Sequence, residues 1–146
     1  MSLTSEYHGH GIRFHYPHGW QRTEESNEDA ITVTVAEAGA FWSVTILNHR
    51  PPAMQVMAEA LAAFQDEYED LDEYEVQALL NGEEAVAYNL EFVALELINC
   101  VFLRIIEAGA HTLFVMAQVT DHERMDYESQ FEAITASVCA DDMEAS

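Results

Sequence analysis

The chain has 146 residues, of which 27 are acidic, five are arginine and none is lysine, for a formal charge of −22 at neutral pH. That charge opposes binding to nucleic-acid phosphates and to anionic membranes, and it favours basic partners, polycations and divalent cations. Without lysine there is neither a Walker-type phosphate loop nor a Schiff-base nucleophile.

An apolar content of 49% at this length predicts one globular domain spanning residues 1–146, with residues 1–6 flexible. No Pro/Gly/Ser-rich linker divides it, and no apolar run approaches the roughly 20 residues of a spanning helix. The opening "MSLTSEYHGH" has no basic segment followed by an apolar one, so no secretory signal and a cytoplasmic location are expected. Cys100 and Cys139 have no CxxC spacing. A buried, inert thiol is expected at Cys100.

Residues 7–20, "YHGHGIRFHYPHGW", hold His8, His10, His15 and His18. Residues 11–17 alternate as a strand, with Ile12, Phe14 and Tyr16 on one face. If residues 8–18 run extended, His8 and His18 stand roughly 30 Å apart and cannot share one ion. Two pairs, His8/His10 and His15/His18, would each need a further ligand from His49, His111, His122 or a carboxylate. Solvent-facing histidines are the expectation, with no metal or cofactor required.

"ITVTVA" (31–36) is a second strand, with Ile31, Val33 and Val35 inward, and "FWSVTILN" (41–48) is a third. "EAGA" links them and recurs at 107–110, with Gly39 and Gly109 expected to supply positive φ. Pro51 and Pro52 suit the start of a helix, followed by an apolar stripe of Met57, Leu61, Phe64 and Tyr68. "DEYEDLDEYE" (66–75) carries seven carboxylates but lacks the spacing and glycine of an EF-hand loop. It reads as a solvated helix end leading into a strand. Asn81-Gly82 then predicts a type I′ hairpin between two alternating runs. Tyr74, Val76, Ala78 and Leu80 share one face, opposed by Val86, Tyr88, Leu90 and Phe92. "LINCVFLRII" and "LFVMAQV" are apolar on both faces, as central strands are. A last helix is expected to open with a capping box at Thr120 and Glu123, with the stripe Tyr127, Phe131, Ile134 and Val138. The predicted class is α+β: an antiparallel sheet of six to seven strands with two main helices packed on it.

Phe14-x-x-Pro17-x-Gly19-Trp20 resembles the opening motif of PsbP-like domains. "FEAITAS" (131–137) resembles the F-x-x-I-x-x-S closing helix of that group. The superfamily includes the photosystem II extrinsic protein, the Ran-binding Mog proteins and the bacterial DcrB and Eag-type proteins. The resemblance implies a PsbP/Mog-like α/β/α sandwich, and members bind proteins more often than they catalyse.

The sequence holds no G-x-S-x-G elbow and no H-E-x-x-H. The functional expectation is therefore a non-enzymatic accessory module that binds a protein partner or a second copy of itself, with a chaperone-like role open. Phe41, Leu47, Phe114 and Met116 are the candidate contact residues, on sheet that two helices cannot fully cover. Two alternatives stand beside it. One is a small enzyme or metal-binding protein built on histidines and carboxylates, and the other is a salt-adapted acidic protein with no site.

Overall fold

The structure is a computed structural model and describes residues 3–141. β1 (Ser5–Gly9) and β2 (Ile12–Tyr16) form an antiparallel hairpin closed by His10 and Gly11, with φ of 54° and 84°. Positive φ at both central residues is the type I′ pattern. The histidine-rich segment therefore doubles back, so the extended run considered for His8 to His18 does not occur; Ser5 and Glu6 are paired in β1, and Met1 and Ser2 lie outside the described residues.

β3 (Gln21–Ser26), exposed throughout, is followed by β4 (Ala30–Glu37) and β5 (Ala40–Leu47). α1 spans Ala53–Glu67. Its first N–H groups have no partners within the helix, and the distant Glu107 carboxylate accepts one of them, from Ala53 at 3.0 Å. β6 (Asp72–Glu75), β7 (Leu79–Leu80), β8 (Glu83–Glu84) and β9 (Val86–Ala94) complete the predicted hairpin. β10 (Leu97–Ala108) and β11 (His111–Thr120) lead through one 3-10 turn, Asp121–Glu123, to α2 (Arg124–Ser137) and the short β12 (Cys139–Ala140).

The main sheet has seven strands in the order β3-β4-β5-β11-β10-β9-β6, every neighbouring pair antiparallel. α1 packs on one face, against Leu90, Phe92, Val101, Leu103 and Ile105. α2 and the small sheet β1-β2-β12 cover the other, where Trp42, Val44, Val115, Phe131 and Ile134 are buried. The predicted α+β sandwich is the fold observed. β10 and β11 lie at its centre, and their double-faced apolarity fills both cores.

The two motif segments lock onto each other. Phe14 is buried against Trp42, ring centroids 4.8 Å apart, and Pro17 is buried beside it in the chain. Gly19 takes φ 94°, which turns Trp20 inward onto Tyr127 and Phe131 of α2. The Ser137 hydroxyl accepts the His15 N–H at 2.8 Å. Trp20, turned inward at Gly19, and the His15–Ser137 bond thus fasten this segment to the closing helix, while Phe14 fastens the small sheet to β5 of the main sheet.

Three local expectations are corrected. The strand pairing from Asp72↔Glu91 to Leu80↔Glu83 keeps one register, so Tyr74 lies opposite Asn89. Val86, Tyr88, Leu90 and Phe92 therefore point to the α1 core, while Leu80 enters the α2 core. In the first "EAGA" turn Glu37 pairs with Ala40 and Ala38 takes φ 52°, while in the second Ala108 pairs with His111 and Gly109 takes φ 58°. The same four residues turn in frames one position apart, so Gly39 is not the positive-φ residue. Thr120 and Glu123 make no side-chain cap, because the 3-10 turn separates Thr120 from α2.

Candidate functional site

The β9–β10 tip is the most exposed apolar feature of the described residues. Ala94 pairs with Leu97, and Leu95 and Glu96 form the two-residue turn, with φ of 54° and 66°. Left-handed backbone suits glycine or asparagine, and a leucine there is strained by roughly 1–2 kcal/mol. The chain builds the same geometry with His10-Gly11 and Asn81-Gly82 elsewhere. Leu95 is 95% exposed, Val93 61%, Ile98 46% and Leu97 41%. Val93 and Ile98 form a cross-strand pair on the α2 side of the sheet, while Leu97 lies on the α1 side. The tip is therefore apolar on both faces and at its end.

The predicted contact residues lie elsewhere. Phe41, Leu47, Phe114 and Met116 share the α1 face, and all four are half-buried. Leu47, Phe114 and Met116 pack along the flank of the α1 core, whereas Phe41 sits opposite Gln118 at the start of β5. The structure brings them onto one face, but helix and strands cover much of them. Sequence reasoning missed the tip because "VALELI" lacks the Gly, Asn or Asp that marks a turn. The available signal was an apolar run crossing the place where two antiparallel strands had to be joined.

The histidines of the opening stretch are spread over separate carboxylates. His15 Nε2 lies 2.8 Å from Glu6, His8 Nε2 2.9 Å from Asp141, and His10 Nε2 3.3 Å from Glu24. Among the described residues no group of three or more potential ligands converges on one point. Cys100 is buried, and burial pushes its thiol pKa up, with Arg124 Nη1 at 3.9 Å pulling the other way. The acidic run closes α1 at Glu67 and continues into β6, as the sequence indicates.

No family model matches the chain, and no curated protein sequence matches it. Solved structures do. The cyanobacterial PsbP protein CyanoP of Synechocystis superposes over 93% of this chain and 91% of its own length, with a TM-score of 0.59 at 17% identity. The fold is PsbP-like. LpqN of Mycobacterium tuberculosis, a protein involved in cell envelope biogenesis, matches 92% of this chain and 83% of its own, with a TM-score of 0.54 at 15% identity. A Bacteroides thetaiotaomicron structure gives a TM-score of 0.64 at 10% identity, and this chain spans about half its length, 49%. The PsbP-like sandwich keeps the two motif segments against each other and leaves the β9–β10 tip projecting beyond the paired core.

Proposed function

We propose that this PsbP-like chain is a non-catalytic accessory module that docks on another protein through the β9–β10 tip. The observation that carries the reading is the concentration of exposed aliphatic side chains, Val93, Leu95, Leu97 and Ile98, around a strained turn. Exposed apolar clusters mark interaction sites, and retained backbone strain points to function. The charge of −22 directs the choice of partner: it opposes a second copy and anionic lipid, and it favours a protein whose apolar recess is ringed by basic residues. An accessory role is supported by likeness of fold to CyanoP and LpqN. A cytoplasmic location belongs to the proposal, and fractionation of source cells checks it.

The test compares partner capture by the native chain, Leu95→Asp and Phe114→Asp. Loss of one defined partner with Leu95→Asp alone supports docking at the tip. Loss with Phe114→Asp alone moves the contact to the α1 face. Identical captures from all three, with no salt-sensitive partner among them, end the binding reading.

A further inference from the structure

A cavity of about 560 Å³ opens on the α2 side of the sheet, and none of Val93, Leu95, Leu97 and Ile98 lines it. Small-molecule sites commonly occupy about 300–1,000 Å³. One wall is the hairpin arm from Val76 to Gly82, the other is α2 from Glu128 to Ala136, and Phe102, Val115 and Ala117 form the floor. The arm is held in place at its end. Leu80 is buried in the core, and Asn81 Oδ1 accepts the Ala140 N–H at 3.1 Å.

One cation lies on this apolar floor. Arg104 of β10 is half-buried, and its Nη1 donates to Asn89 Oδ1 at 2.9 Å, Leu103 O at 2.9 Å and Tyr88 O at 3.3 Å. All three acceptors are neutral and all meet one nitrogen. Among the described residues no carboxylate forms an ion pair with it. Two carboxylates of α2, Glu132 and Glu128, line the same cavity and act on it through space. Glu128 is held by Arg124 Nε at 2.5 Å, and Glu132 is exposed to solvent. Desolvation outweighs both, leaving the guanidinium pKa below its usual value.

In a chain with 27 acidic residues, a desolvated arginine left to neutral acceptors is anomalous, because buried charge is costly unless paired. Its remaining nitrogens offer the planar fork that receives a carboxylate. We infer that this cavity binds a small apolar carboxylic acid, with the carboxylate on Arg104 and the hydrocarbon over Phe102 and Val115. The site is separate from the docking tip, so either can fail without the other.

The experiment titrates the full chain with octanoate, octanamide and two peptides ending in leucine, one with a free carboxylate and one amidated, read by calorimetry and amide chemical shifts. Octanoate binds at least about tenfold more tightly than octanamide, the difference expected for a hydrogen-bonded charge. Shifts cluster at Asn89, Phe102 and Thr135. Arg104→Met lowers octanoate affinity by about tenfold or more, while Glu132→Gln raises it by removing a competing carboxylate. Ala136→Leu, at an exposed position on the α2 wall, blocks the cavity, and it carries the test should Arg104→Met fail to fold. Preference for octanoate over the free-carboxylate peptide assigns a free acid; the reverse preference assigns a polypeptide C-terminus, and both support the carboxylate chemistry. Equal binding of octanoate and octanamide overturns the inference. So does unchanged affinity in a folded Arg104→Met or in Ala136→Leu, or no binding of any carboxylate probe up to about 1 mM.

Discussion

Tyr7 donates its hydroxyl to Glu24 Oε1 at 2.9 Å from a site that is 6% exposed. Burial first, and that bond second, push its pKa from 10.0 up to about 12. The folded state therefore holds the phenol proton more tightly than the unfolded chain does. Stability from this residue is fully present below pH 10 and is lost as pH rises toward 12, on the order of 1–2 kcal/mol. Tyr7→Phe should flatten the alkaline fall in melting temperature over that window; an unchanged slope would assign the fall to other groups. Sequence patterning identified the inward face of this region through Ile12, Phe14 and Tyr16, but not the partner of Tyr7. Glu24 is 17 residues away on a strand whose sequence carries no alternation. The same limit applies to Arg104, read in the sequence only as a letter inside "LINCVFLRII". Its burial follows from the register that sets it on one face between Phe102 and Ile106.

Turns decided how much of each element could be read in advance. Asn81-Gly82 announced its hairpin, because both residues accept positive φ with little strain. His10-Gly11 does the same work less recognisably, so β1 is not legible in the sequence and only the strand after it is. β3 escaped because a strand exposed along its whole length has no buried face to impose a pattern. Leu95-Glu96 escaped for the opposite reason: its residues argue against the turn they make. Replacing them by Leu95→Asn with Glu96→Gly should raise stability by about 1–2 kcal/mol, seen as a higher urea midpoint with unchanged slope. The same pair of substitutions should weaken partner capture, since Leu95 is the most exposed aliphatic side chain of the tip. A stabilised variant that captures its partner normally would separate the strain from docking.

Taken whole, the molecule holds its acidic residues against five arginines, so the folded surface repels itself. Added salt shortens the range of that repulsion, from about 10 Å at 0.1 M to about 3 Å at 1 M. Melting temperature should therefore rise with sodium chloride over that range. A flat response would mean that local pairs, such as Arg124 with Glu91 and Glu128, already offset the charge. The seven-stranded sheet ends in β3 on one side and β6 on the other, and both borders are exposed and rich in carboxylate: Glu24 and Glu25 on one, Asp72, Glu73 and Glu75 on the other. Unpaired strand edges invite a further strand, and charge along them discourages it. Any partner is thus turned away from main-chain annexation and must recognise side-chain shape instead. Replacing those five carboxylates by neutral residues would remove both guards at once and leave the sheet open to templated, amyloid-like growth from either end.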